Sequence, residues 1–259
     1  MKNDGIELKI TVCPGITREG VRESFERIDI MPGDTISIVG PTGSGKTAFI
    51  NDIEVFAQGD TVTGRRILVN DELPSEELIR DPACKPIAMI TQNTKCLADL
   101  SVDGFLRMHA KTRGNCSDTI IADVVSLANN FTGEKITRDS RISSLSGGQT
   151  RSLMIADAVM ISDAPILLLD EIENAGIFKE EVVKHLKGLN KAVILVTHDP
   201  YISVLSDRRI VMSGGAVVNV LSPGDSESEI LKKIKSIDIE LSNIRERIRA
   251  GEIIGGVSH

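Results

Sequence analysis

The residues Gly40-Pro41-Thr42-Gly43-Ser44-Gly45-Lys46-Thr47 carry the first chemistry that this chain offers. They fit G-x-x-x-x-G-K-[ST]. In that spacing glycines turn backbone N–H groups onto phosphate oxygens, a lysine adds a point charge, and a threonine hydroxyl can ligand Mg²⁺. Downstream, Leu145-Ser146-Gly147-Gly148-Gln149 precedes the apolar run Ile166-Leu167-Leu168-Leu169, which ends in Asp170-Glu171. Asp170 closes an apolar run, where a charge is costly unless a cation sits near it, so it is a candidate Mg²⁺ ligand. Glu171, Gln92 and His198 are further polar groups that stand at the ends of apolar runs.

The elements needed to position these residues are legible around them. Thr35-Ile36-Ser37-Ile38-Val39 is a β-branched run before the glycine loop, and Ala48 to Ile53 continues with helical spacing. Strand, glycine loop and helix is the order that a phosphate cradle requires. Ile6 to Val12 alternates with period two, Ile28 to Ile30 leads through a turn into Thr35, and Gly64 to Asn70 reads as another strand. Ile87 to Thr91 delivers Gln92. From Leu97 to Leu145 apolar residues recur at three- and four-residue intervals, which predicts a helical insertion. The α/β pattern then resumes with a helix from Gly148 to Ile161, a buried strand at Ile166 to Leu169, a helix near Lys179 to Leu186 and a strand from Ala192 to Thr197. A hairpin follows around Ser213-Gly214-Gly215. Strands separated by helices predict a mainly parallel sheet with ligands at its carboxyl ends. The glycine loop, Gln92, Asp170, Glu171 and His198 all fall at such ends, so one pocket can collect them.

Composition bounds the class. The chain has 259 residues, 41% of them hydrophobic, and a formal net charge of −7. It is long enough to bury a full core. No run approaches the roughly 18 apolar residues of a membrane span, and the first residues lack the apolar core of a signal peptide, so a cytoplasmic location is expected. The acidic balance argues against a nucleic acid partner. Cys13, Cys84, Cys96 and Cys116 lack C-x-x-C spacing and read as buried or incidental thiols, while His109, His185 and His259 are isolated from other metal-ligand residues.

Taken in order, these motifs resemble those of the ATP-binding-cassette ATPases over residues from about 6 to 222. Gln92 matches the family's Q-loop, Leu145 to Gln149 its signature, Ile166 to Asp170 its Walker B strand, Glu171 its catalytic glutamate and His198 its switch histidine. The resemblance implies an α/β fold: a P-loop NTPase core with a mainly parallel sheet, an N-terminal antiparallel β lobe and an inserted α-helical subdomain. It implies that Glu171 orients or deprotonates the attacking water and that His198 holds the γ-phosphate region. Thr47 and Asp170 would serve Mg²⁺, and Gln92 would reach either Mg²⁺ or the attacking water. It further implies that Ser146, Gly147, Gly148 and Gln149 close over ATP held by the P-loop of a second protomer, itself a copy of this chain or a paralogous cassette.

The chain departs from that family at three places. No aromatic residue stands in the window Cys13 to Arg18, where the family stacks adenine, and Phe25 lies too near the P-loop; Arg18 could stack by its guanidinium plane, and GTP could substitute for ATP. Glu171 is followed by Ile172-Glu173-Asn174-Ala175-Gly176-Ile177, with Ile177 where an aspartate is expected. Asp157 stands where many transporter subunits carry arginine. These mark a divergent branch.

The expected organisation is a cassette over 1–222, with its insertion at about 93–147, and an amphipathic helical tail over 223–259. In that tail Ile230, Ile234, Ile237, Leu241, Ile244 and Ile248 form a heptad seam, with Ser226 as a candidate N-cap. The seam could dock on its own cassette or helical lobe, or pair with another copy or a partner. Two functions compete: an ATPase subunit that powers separate membrane permease subunits, for which Leu97 to Val102 resembles a docking surface, and a soluble ATPase that remodels a protein or metalloenzyme complex. Fold alone does not choose between them.

Overall fold

The computed structural model describes residues 8–91, 94, 99–171, 177–222 and 227–255. Three short strands, β1 (Ile10–Cys13), β2 (Ile28–Ile30) and β4 (Arg66–Val69), form an antiparallel sheet in the order β2-β1-β4. The main sheet uses β3 (Thr35–Val39), β5 (Ile87–Ile90), β6 (Ile166–Asp170), β7 (Ala192–Val196), β8 (Arg208–Ser213) and β9 (Ala216–Leu221) in the order β5-β6-β7-β3-β8-β9. Every pairing in it is parallel except the β8–β9 hairpin at the edge. Strands β6 and β7 are buried along their whole length, which explains why they read as unbroken apolar runs.

Helices cover both faces. Helix α1 (Lys46–Glu54) follows β3, and the short α2 (Glu76–Arg80) lies between β4 and β5. The insertion supplies α3 (Val102–Thr112) and α4 (Asp118–Asn130), and α5 (Gly147–Met160) returns the chain to β6. Then come α6 (Lys179–Gly188), α7 (Pro200–Leu205) and the C-terminal α8 (Ser228–Arg249). Side chains of Ser75, Ser101, Ser117, Ser146 and Asp199 cap the starts of α2, α3, α4, α5 and α7.

The sheet divides the apolar interior into two cores. One lies between the three-stranded sheet, α1 and one sheet face, with Ile38, Phe49, Leu168 and Ile194 at its centre. The other joins the opposite face to the inserted helices: Leu106, Val124, Leu153, Leu167 and Leu195 belong to a single cluster. The insertion therefore shares its core with the sheet. This agrees with the expected α/β fold with its mainly parallel sheet, antiparallel lobe and inserted helices.

Several expectations need adjustment. Cys84 and Cys116 are exposed and Cys13 half-buried, so burial does not describe these thiols; Cys96 lies outside the described residues. Phe25 packs on the core around α1. The proposed N-cap Ser226 also lies outside the described residues. Helix α8 forms where the seam predicted it. It leans on α7 rather than on the inserted helices.

Candidate functional site

Strand β3 ends at Val39 and the chain turns into the glycine loop before α1 begins. Gly45 is the N-cap of α1, at φ 97, and no side chain among the described residues caps that helix. Its first-turn N–H groups are thus left for an external acceptor. Gly40 sits at φ +150, and a Cβ there would lie 2.2 Å from the Met212 carbonyl oxygen, so any larger residue is shut out. Lys46 Nζ donates to the carbonyls of Gly40 at 2.9 Å and Pro41 at 3.1 Å, which folds the side chain back over the loop. The Ser44 hydroxyl is buried without a hydrogen-bond partner among the described residues. An orphaned hydroxyl beside a lysine and free helix N–H groups suits a phosphate chain.

A pocket of about 260 Å³ opens over this loop, lined by Arg18, Thr42, Gly43, Gly45, Lys46, Thr47, Ala48 and Glu171. Asp170 ends β6 with 9% of its surface exposed, and Thr47 Oγ1 lies 3.5 Å from its Oδ2. A hydroxyl and a carboxylate held together are hard oxygen donors of the kind Mg²⁺ selects. Glu171 turns into a left-handed backbone, φ 48, with its N–H on the Val196 carbonyl at 3.1 Å. Such a conformation costs energy for a non-glycine residue and is typical of functional positions. His198, just after β7, brings Nε2 to 3.4 Å from Glu171 Oε1. The sheet order explains this meeting, because β6 and β7 are direct neighbours. Gln92 lies outside the described residues.

The signature forms a different helix start. Ser146 Oγ accepts from the Gln149 N–H at 3.2 Å, and Gln149 Oε1 accepts from the Ser146 N–H at 2.8 Å, completing a capping box. Ser146 Oγ also donates to Glu134 at 2.7 Å, and Gln149 Nε2 to the Lys135 carbonyl at 3.1 Å. Ser146 and Gly147 are exposed and Gly148 is buried. None of the four lines the pocket over the P-loop. Arg151 Nη1 donates to the Gly147 carbonyl, and burial pulls its guanidinium pKa below the ordinary value.

Arg18, the residue expected to stack in place of an aromatic ring, lies beside the glycine loop. Its Nη2 donates to the Gly43 carbonyl at 2.7 Å, and it walls both the P-loop pocket and an adjoining one of about 290 Å³ shared with Ile16, Val62 and Gly215. Ile177, in the aspartate's place, is buried in the core of the inserted helices and bridges to Thr132. Positions 172–176 lie outside the described residues. Asp157, on α5, receives His109 Nδ1 of α3 at 2.8 Å, so this departure is a tie between two helices.

Sequence reading missed what lies beneath α1. Arg65 is fully buried and donates to Glu23 at 2.6 and 2.9 Å and to Asp52 at 3.1 Å, with its guanidinium carbon 5.0 Å from the Phe49 ring centroid. The hairpin turn also buttresses the loop: the Gly215 N–H donates to the Ser44 carbonyl at 3.0 Å. The only local hint was Asp52 within the apolar stretch of α1. Its partners come from distant segments with no spacing to read.

The fold and this site define a P-loop nucleotide-binding cassette. Comparison with known proteins agrees: the ABC transporter family model matches residues 27–174. An ABC transporter ATP-binding protein of Methanocaldococcus jannaschii is 48% identical over 95% of both chains. The sn-glycerol-3-phosphate import ATP-binding protein UgpC of Chromohalobacter salexigens is 29% identical over 76% of this chain, which spans 53% of that protein. Among solved structures, a dimeric post-hydrolysis ATP-binding cassette bound to ADP and phosphate superposes with a TM-score of 0.61 at 24% identity, covering 84% of this chain and 99% of that one. The chain belongs to the ABC transporter family and is an ABC-type ATPase. No helix among the described residues is long and apolar enough to cross a membrane.

Proposed function

We propose that two copies of this cassette close on two ATP molecules and that closure and hydrolysis drive a conformational change in separate membrane permease subunits on the cytoplasmic side. Within one chain, the backbone N–H groups of Gly43 to Thr47 and Lys46 hold the phosphates, and the Ser44 hydroxyl supplies a further donor. Arg18 stacks on the base, with Ile16 and Val62 alongside, in place of an aromatic ring. Thr47, Asp170 and Gln92 would hold Mg²⁺, which neutralises charge on the β- and γ-phosphate oxygens. Glu171 orients or deprotonates the attacking water, and His198 fixes the Glu171 carboxylate and faces the γ-phosphate. Ser146, Gly147, Gly148 and Gln149 present their helix start to the partner's nucleotide.

One observation carries this reading: the P-loop pocket contains Glu171 but no residue of the signature, whose helix start lies exposed elsewhere on the same chain. A site finished only by a second copy explains both facts. Co-expression of a Lys46→Ala chain with a Ser146→Arg chain tests it. Each variant alone is expected to be inactive, because neither homodimer holds an intact pair. Mixed dimers keep one intact site, so turnover should return to about a quarter of the wild-type rate, half the dimers being mixed with one of two sites intact. Turnover no higher than that of either variant alone counts against closure by a second copy.

A further inference from the structure

Helix α8 is seated on the cassette by the wrong face for an amphipathic helix. Lys235 Nζ bonds both carboxylate oxygens of Glu180 at 2.9 Å and lies 5.9 Å from the centroid of the Tyr201 ring. Asp238, Ser242 and Arg245 line a groove of about 580 Å³ facing Phe178 and Tyr201. At 100° per residue these four positions share one polar face. The apolar seam lies to one side of it. Ile230 and Ile237 are each 47% exposed, Leu241 45% and Ile248 57%, while Ile234 and Ile244 are half-buried. A helix that leaves such a stripe in water has an unpaired face.

The charges flanking the stripe say what covers it. The alternating spacing puts Ile234, Leu241 and Ile248 at the a positions of a heptad and Ile230, Ile237 and Ile244 at d. The g positions are then Lys233, Glu240 and Arg247, and the e positions five residues on from the first two are Asp238 and Arg245. In a parallel, in-register pair each of those g residues faces the partner's following e residue: Lys233 meets Asp238 and Glu240 meets Arg245, while Arg247, at the end of the helix, pairs with Glu252 of its own chain. Both interchain pairs are attractive. The antiparallel arrangement over the same seam brings Glu240 to Glu240, Asp238 to Asp238 and Lys233 to Arg247, all repulsive. Isoleucine at d on its own permits three- or four-stranded bundles. Here the cassette lies beside the e flank, at Asp238 and Arg245, which disfavours further helices on that side.

We infer that α8 is a homodimerisation helix that pairs in parallel with α8 of a second copy of this chain, without nucleotide. The pair has a two-fold axis along its length. It would hold two cassettes at high effective concentration before ATP arrives. The inference does not depend on closure over ATP, and its test omits nucleotide so that the two readings fail separately.

The test is sedimentation of the full chain, nucleotide-free, at micromolar concentration. A dimer is expected for the wild type, and a monomer for Leu241→Glu, whose binding of a fluorescent ATP analogue should match the wild type and so certify its fold. Glu240→Lys and Arg245→Glu should each weaken the dimer about tenfold, since each turns two attractive pairs into repulsive ones. The double variant should regain dimerisation to within about threefold of the wild type by swapping the charges across the interface. Residues 240 and 245 are not neighbours on one helix, so a rescue reports contact between chains. A monomeric wild type, a trimer or tetramer, or a double variant as weak as the singles overturns the inference.

Discussion

Helix α1, beneath the nucleotide site, and helix α8, at the C-terminal end, are both tied to the body by a cation, but in opposite settings. Under α1 the tie is Arg65, with its side chain and that of Glu23 wholly buried and Asp52 nearly so. At α8 it is Lys235 on Glu180, with 49% and 24% of the two side chains exposed. Between them stands α5, tied to α3 by His109 and Asp157, at 26% and 9%. In the buried tie each guanidinium nitrogen has an acceptor, and Glu23 also accepts the N–H groups of Gly15 and Val217. The exposed tie can exchange with water at little cost. The machinery that grips phosphate is therefore locked, whereas the helix offered to a partner can be reseated.

The comparison breaks first at Arg65. Arg65→Met fills the space but leaves two buried carboxylates without their cation, and a loss of about 3–5 kcal/mol is expected. Urea unfolding would show it as a lower midpoint with the slope retained. Because Asp52 belongs to α1, nucleotide affinity should fall with it. A loss under about 1 kcal/mol, of the size usual for surface pairs, would erase the distinction between the two regions.

How far this arrangement was legible depends on how local its causes are. The P-loop between β3 and α1, the strand that ends in Asp170 and the helix opened by Ser146 are written in consecutive residues. The heptad that announced α8 is also local. The meeting of Glu171 with His198 was foreseeable once both were placed at strand ends, and the adjacency of β6 and β7 brings it about. The short α2 and α7 went unread because five or six residues hold too little periodicity, although Ser75 and Asp199 with Pro200 mark their starts. Arg65, Glu23 and Asp52 could not be connected, since 42 positions separate Arg65 from Glu23 and no pattern spans that gap. The docking face of α8 stayed hidden for a related reason. Its apolar stripe suggested burial, and the contacts that seat it are polar and come from α6 and α7.

The intermediate tie makes the comparison quantitative. His109→Phe removes the donor from an almost buried Asp157, and a cost of about 1–3 kcal/mol is expected, below that of Arg65→Met. Adding Asp157→Leu should recover part of the loss, because removing both polar partners spares the stranded carboxylate. If His109→Phe were as costly as Arg65→Met, burial would not be what ranks these ties.

The weakest tie is best read by pH, and the chain carries its own probe, since Tyr201 is its sole tyrosine and there is no tryptophan. Burial alone would raise the Glu180 pKa; Lys184, Lys235 and Tyr201 outweigh it and bring the carboxyl down to about 2. A carboxyl lowered on folding contributes stability that is complete above its ordinary value of 4.5 and is lost as pH falls through about 2. Release of α8 from Tyr201 is therefore expected within that acidic window, seen as a change in tyrosine emission. Lys235→Met removes the α8 partner of Glu180 together with one of the lowering groups, so the release of α8 should be lost from the transition, and the emission change that remains, from Glu180 on Tyr201, should move upward in pH, toward 4.5, while the stability of the body is left nearly intact. Emission that is flat through the window in both proteins would mean that Glu180 does not hold α8, and the contrast with Arg65 would then rest on burial alone.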